Sequence, residues 1–271
     1  MNILIAGNGK MGGWLSTILC RHHRVGIIDK QPVEMKPAEN ITLLNQRHEI
    51  GEFNPDLLVN AVTLDATRRV FEELMPWLPA HTMLADMASV KNGISSFYQQ
   101  CGRKFVSTHP MFGPTFADLQ NLKYEHAILI KESDQEGKKF FEQLFSDLGL
   151  TLHHLTFREH DERMSESLSV PFILSMLFAS QLRENDHPGT TYDKHLQIAR
   201  GLFSEDESLL TEVLMNPATL EKISGLKKDL DALQDAIEKK DASGLMSFIR
   251  EAAQRVSPGQ TKDSKTTSRS H

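Results

Sequence analysis

The chain has 271 residues, 39% hydrophobic and 24% charged, a composition of ordinary globular proteins and a length that favours two folding units over one core. Its formal net charge of −6 argues against a nucleic-acid binder, which needs clustered Lys and Arg to meet phosphates. Cys20 and Cys101 form no CxxC pair, and no stretch approaches the roughly 18 apolar residues of a membrane span, so a cytoplasmic protein without disulfides, thiolate zinc or membrane partners is expected.

The opening MNILIAGNGKMGG lacks a basic segment and has only a short apolar run, so it reads as a strand and not as a targeting signal. Strands are expected at Asn2–Ala6, Val25–Ile28, Leu57–Val62, Thr82–Asp86, Lys104–Ser107, Ala127–Ile130 and Thr151–His154. Helical patterns lie between them at Met11–Arg21, Asp65–Leu78, Val90–Gln100 and Gln135–Leu148. That alternation predicts an α/β fold with a doubly wound parallel sheet. After residue 156 only helices are expected. His160–Arg183 is helical by length and apolar nearly all round from Val170 to Phe178, the pattern of a helix buried in a domain or against a partner subunit. Ser204 and Glu207 read as a capping box opening the next helix. Leu220, Ile223, Leu226, Leu230, Leu233 and Ile237 then recur at helical spacing, and a final helix runs from Asp241 to near Val256. The tail SPGQTKDSKTTSRSH is polar and expected to be disordered. The expected organisation is an α/β domain over 1–155, an all-helical domain over 156–256 and a tail over 257–271.

Gly7-Asn8-Gly9-Lys10-Met11-Gly12 is a GxGxxG segment that follows an apolar strand and opens a helix, the context this motif requires. Gly7 permits the tight turn, Gly9 lets the backbone approach a pyrophosphate, and Gly12 allows close helix–strand packing. The helix N-terminus adds free N–H groups and the positive end of its dipole. Asp29, about 22 residues after Gly7, ends the second strand where a carboxylate accepts from adenosine ribose hydroxyls. It would repel the extra phosphate of NADP; Lys30 softens that preference without reversing it. The alternative for Asp29 is a solvated turn carboxylate. The expected domain is therefore Rossmann-type and binds NAD in preference to NADP, through Gly7 to Gly12 (Asn8, Gly9, Lys10 and Met11 included) and Asp29.

Two later loops should face the cofactor, because α/β sheets bind ligands at the carboxyl ends of their strands. One is Asp86-Met87-Ala88-Ser89-Val90-Lys91 and the other His109-Pro110-Met111-Phe112-Gly113-Pro114. With these loops, in this order, the chain resembles the prephenate dehydrogenase family, whose members carry DxxSVK and HPMFGP. Tyr192–Phe203 and the following LLTEVLMNPATLEKI resemble the family's helical domain. The resemblance spans nearly the whole chain except the tail. It implies oxidative decarboxylation of prephenate to 4-hydroxyphenylpyruvate with hydride transfer to NAD, in tyrosine biosynthesis. No fused chorismate mutase domain is expected before Met1, and no regulatory domain after the helices. By resemblance His109 accepts the hydroxyl proton, a role suited to imidazole near neutral pH, and Ser89 orients it. From the residues alone, His109 could merely follow a strand, Ser89 could be the N-cap of the Val90–Gln100 helix, and Lys91 reads as a first-turn surface residue.

The chain departs from the family pattern in two places. The substrate's carboxylates call for arginine. The family's arginine position reads Gly201 here, with Arg200 one residue earlier and so turned by about 100° on a helix. His160-Asp161 is present, but the SHLPH-like histidines that follow are replaced within Ser169-Val170-Pro171-Phe172. That leaves prephenate and its amino counterpart arogenate both open as substrates. His160 itself could be a site residue but reads more readily as a polar helix-start residue, His22-His23 as a solvated helix end, and His153-His154 as no metal site, because strand neighbours face opposite ways. A homodimer packed through helices of both subunits is expected. The rival readings are arogenate dehydrogenase, a β-hydroxyacid dehydrogenase or imine reductase, and a non-catalytic NAD-binding sensor.

Overall fold

The structure is a computed structural model and describes residues 1–33, 38–91, 93–113, 117–183 and 189–256. The loop residue Pro114 and the tail 257–271 lie outside the described residues. Eight strands form one sheet: β1 (Asn2–Ala6), β2 (Arg24–Ile28), β3 (Ile41–Leu43), β4 (Leu57–Asn60), β5 (Met83–Asp86), β6 (Phe105–Pro110), β7 (His126–Ile130) and β8 (Thr151–Leu155). Their order is β3-β2-β1-β4-β5-β6-β7-β8. The first six run parallel, β7 is antiparallel to β6, and β8 runs parallel to β7.

Helices cover both faces. On one face α1 (Lys10–Leu19) and α5 (Gln135–Asp147) bring Trp14, Leu15, Leu19, Phe141 and Phe145 against Ile3, Ile5, Val25, Ile27 and Val59. On the other, α2 (Glu49–Phe53), α3 (Leu64–Leu74), α4 (Ile94–Gln100) and α6 (Phe157–Met164) bring Phe53, Phe71, Phe97, Tyr98 and Met164 against Leu4, Ala6, Leu58 and Leu84. Side chains alternate along a strand, so Ile3 and Ile5 enter one core while Leu4 and Ala6 enter the other. Burial on both faces explains why β1 and β4 read as continuous apolar runs.

Five expectations need correction. β3 and α2 were not anticipated; a three-residue strand and a five-residue helix are too short to carry a period. β6 continues past Ser107 to Pro110, because its antiparallel pairing with β7 sets His109 opposite Ile128 and Pro110 opposite Ala127. The helix expected over Val90–Gln100 starts at Ile94 behind Gly93, so Ser89 is not its N-cap. The single helix expected over His160–Arg183 is α6, a π turn at Ser165–Ser169, and α7 (Val170–Ser180). A Thr156–Glu159 capping box sets its start, and Pro171, which cannot donate to the helix ladder, follows the π turn. Ser204 donates back to the Gly201 carbonyl at 2.7 Å and so finishes α8 (Thr190–Leu202) instead of opening α9 (Glu207–Leu214).

By contact the chain divides into two units, Met1–Leu220 and Glu221–His271. The strand-rich part ends at β8, and α6 to α9 belong with the sheet to the first unit. The second unit holds most of α10 (Thr219–Glu238) and α11 (Ala242–Val256), the latter opened by Asp241, which accepts from the backbone N–H groups of Ser243 and Gly244.

Candidate active site

The glycine turn lies between β1 and α1. Gly7 sits at φ +95°, where an L side chain is strained, and a Cβ there would come within 2.8 Å of the Ala61 carbonyl. A Cβ on Gly12 would collide with the Gly7 carbonyl, so this glycine lets α1 close onto the turn. Gly9 differs: a Cβ would meet nothing within 4 Å. The turn is thus packed at Gly7 and Gly12 and open at Gly9, where a phosphate would approach. Gly9 is the N-cap of α1, so the free N–H groups of Lys10 and Met11 begin the helix there. Asp29 follows β2 and braces the turn: its carboxylate accepts from the Asn8 N–H at 2.6 Å and the Gln31 N–H at 2.9 Å. Each oxygen keeps a lone pair for a ribose hydroxyl. The buried Asn8 Oδ1 beside it has no partner among the described residues. These residues fit a dinucleotide.

Strand register carries the turn toward His109. Ala6 pairs with Asn60, Asn60 with Asp86 and Asp86 with Ser107, one row across the carboxyl edge of four parallel strands. Three strand spacings make that row about 14 Å long. His109 lies two residues further along β6, on the same edge. The loop after β6 folds back over the glycine-turn helix, with Phe112 edge-on to Trp14 at a centroid distance of 5.2 Å.

His109 is buried, and its ring stands 62° to that of His160, also fully buried, from α6. His109 Nδ1 is 3.0 Å from His160 Nε2, and His160 Nδ1 is 2.9 Å from Asp161 Oδ1. The same Asp161 oxygen accepts the Lys91 backbone N–H at 2.9 Å, tying α6 to the loop after β5. Lys91 is buried too, and its ammonium donates to Asp86 at 2.5 Å and to the Thr108 carbonyl at 2.6 Å. Tyr98 donates to the other Asp86 oxygen at 2.8 Å. Burial, then His160 and the Lys91 charge, hold His109 well below the ordinary histidine range. Burial likewise lowers His160, against the pull of Asp161. The neutral imidazole that results at His109 is the form that accepts a proton.

Two readings change here. Lys91 is not a surface residue but the buried partner of Asp86, and of the two readings of His160, polar helix-start residue or site residue, its burial against His109 favours the second. A signal for His160 exists, because with Phe157 and Met164 it repeats at i, i+3, i+7, the buried face of α6. Lys91 left no such signal. Ser89 lies half-buried in the loop after β5 and forms no hydrogen bond with His109. Arg200 stands exposed on α8, joined by no ion pair among the described residues. Ser169 is buried and engaged with the Val213 carbonyl and the Thr219 hydroxyl. His153 meets His126 at 3.0 Å across β8 and β7.

A parallel sheet in the order 3-2-1-4-5-6, with a glycine turn after β1 and an acidic residue after β2, defines a dinucleotide-binding α/β protein. The family model described as prephenate dehydrogenase, nucleotide-binding domain, matches residues 18–148, which include Asp29, Ser89, Lys91 and His109. Over that stretch the chain is similar to the nucleotide-binding domain of the prephenate dehydrogenase family. It is 27% identical over 275 residues to the prephenate dehydrogenase of Lactococcus lactis, covering 92% of this chain and 75% of that protein. It is 22% identical to the T-protein of Haemophilus influenzae, covering 90% of this chain but only 64% of that protein's length. Among solved structures, the prephenate dehydrogenase from A. aeolicus in complex with hydroxyphenyl propionate and NAD+ superimposes with a TM-score of 0.78 at 20% identity, covering 94% of this chain and 96% of that one.

Proposed function

We propose that the chain oxidises prephenate to 4-hydroxyphenylpyruvate with NAD as hydride acceptor. The observation that carries this reading is a buried His109 on the same carboxyl sheet edge as an open glycine turn. The names and contents of the relatives support prephenate and NAD as the partners.

NAD, held by the Gly7–Gly12 turn and Asp29, would supply the acceptor for the hydride of the ring carbon that bears the hydroxyl. His109 Nε2 accepts the hydroxyl proton as the C=O bond forms. Loss of the ring carboxylate as CO2 leaves its electron pair in the ring, which becomes aromatic, and the phenolate oxygen takes a proton back. Arg200, free of ion pairs among the described residues, is our candidate for a substrate carboxylate, and Ser89 for a polar contact beside the nicotinamide. Asp29 favours NAD over NADP by repelling a 2′-phosphate. We further infer a homodimer working in the cytoplasm. Two free cysteines and the lack of any described helix long and apolar enough to cross a membrane support the compartment.

Absorbance of NADH after mixing the protein with NAD and prephenate tests the reaction. A steady rise is expected, lost by a factor of about 100 or more in His109→Asn while NAD affinity stays within about twofold. No rise with prephenate but a rise with arogenate would make arogenate the substrate. NAD binding without turnover of either would overturn the enzymatic reading.

A further inference from the structure

The overall reaction releases no proton. Prephenate loses a hydride and CO2, and the proton removed from its hydroxyl oxygen returns to that same oxygen as the phenol forms. The protein therefore has to hold this proton briefly inside a buried pocket, next to the Lys91 ammonium. A single buried imidazolium there is costly, because charge in a low dielectric needs a compensating partner.

We propose that His160 and Asp161 hold His109 in its Nδ1–H tautomer and share the proton it borrows, which makes His160 a positioning residue for the reaction. This rests on the reading of His109 as the proton acceptor. The tautomers follow from Asp161. A carboxylate only accepts, so the proton of the 2.9 Å contact lies on His160 Nδ1. Neutral His160 then has a bare Nε2, which accepts from His109 Nδ1 at 3.0 Å. His109 Nε2 is left without a proton and free to take one.

When Nε2 of His109 gains the hydroxyl proton, its Nδ1 proton shifts toward His160 Nε2. The positive charge then spreads over two rings and lies against the Asp161 carboxylate. The reverse shift returns the proton to the phenolate oxygen, so nothing is consumed. The groups facing the pair are Lys91, with Asp86 and Tyr98 behind it, from β5, its following loop and α4, and Asp161 from α6. Lys91 opposes the borrowed charge and Asp161 offsets it. Asp161 is itself anchored by the Lys91 backbone N–H, and its carbonyl accepts from the Asn216 side chain at 3.0 Å. Its side chain is 24% exposed, whereas His160 is sealed.

Nitrogen-15 NMR of the imidazoles in the full-length protein, with His109 assigned by loss of its signals in His109→Asn, reads the tautomer directly and needs no turnover. The Nδ1–H form is expected; the Nε2–H form would overturn the proposal even if the enzyme is active. If prephenate is not turned over, the tautomer result still stands by itself. In an active enzyme, Asp161→Asn keeps an acceptor oxygen but removes the charge. It should lower kcat about tenfold or more, leave the NAD Kd unchanged, and move the acidic limb of kcat/KM to lower pH, because the imidazolium loses its counter-charge. His160→Gln, which retains an acceptor, should keep more activity than His160→Leu. An acidic limb that stays put in Asp161→Asn, or equal losses in the two His160 variants, would assign His160 a packing role only.

Discussion

Lys91 shows how far a residue's neighbours can decide its role. In sequence it is one lysine after a serine and a valine, where a surface position is the ordinary outcome. In the fold its ammonium is sealed between Asp86 and the Thr108 carbonyl, and Asp86 in turn holds Tyr98. Burial alone lowers the lysine's pKa, and Asp86 opposes that shift by stabilising the charge. Removing one partner leaves the other as an uncompensated buried charge, so Lys91→Met is expected to cost about 3–5 kcal/mol. The loss should appear as a lower urea midpoint at unchanged m-value. Adding Asp86→Asn should recover part of it, because both charges are then gone. A single-variant loss below about 1 kcal/mol would show that the pair is not isolated from water.

At the level of the element, the glycine turn was legible before the fold was known. Its glycines are nonetheless unequal in a way the motif does not express. Gly12→Ala puts a methyl group into the Gly7 carbonyl, which forces α1 away from the turn and should reduce both stability and NAD binding. Gly9→Ala adds its methyl to open space. Its melting temperature should stay within a degree or two while NAD affinity drops about tenfold or more, since the methyl group would enter the open space proposed for the pyrophosphate. Calorimetric titration with NAD alongside thermal unfolding separates the two variants. Equal stability losses would show that Gly9 is packed after all. β6 carries a related lesson. The strand expected over Lys104–Ser107 continues to Pro110, because pairing with β7 extends it and places His109 inside the sheet.

Across the whole molecule, α7 has the composition of a core helix and no buried residue. Leu174 and Leu177 are 50% and 55% exposed in the single chain. In the second unit, Leu230, Ile237 and Ile249 are similarly exposed. Within each unit by itself, exposed apolar residues of this kind mark an interaction surface, which supports the proposed homodimer. Sedimentation at micromolar concentration should show a dimer, and Leu174→Glu with Leu177→Glu should yield a monomer that retains the sheet's circular dichroism. A wild-type monomer would remove the dimer from the account.

Local chemistry alone determined the strand–helix alternation, the glycine turn with Asp29 and the helical second half. Each depends on residues close in the chain, where period, turn geometry and capping act directly. Only the tertiary structure decided what stands beside His109. Asp86, Lys91 and Asp161 come from segments up to 75 residues apart, and no local rule joins β5 to α6. The His109–His160 contact exists because α6 packs its Phe157–Met164 face onto the sheet beside the end of β6, which makes the His160-Asp161 pair the neighbour of the proposed base.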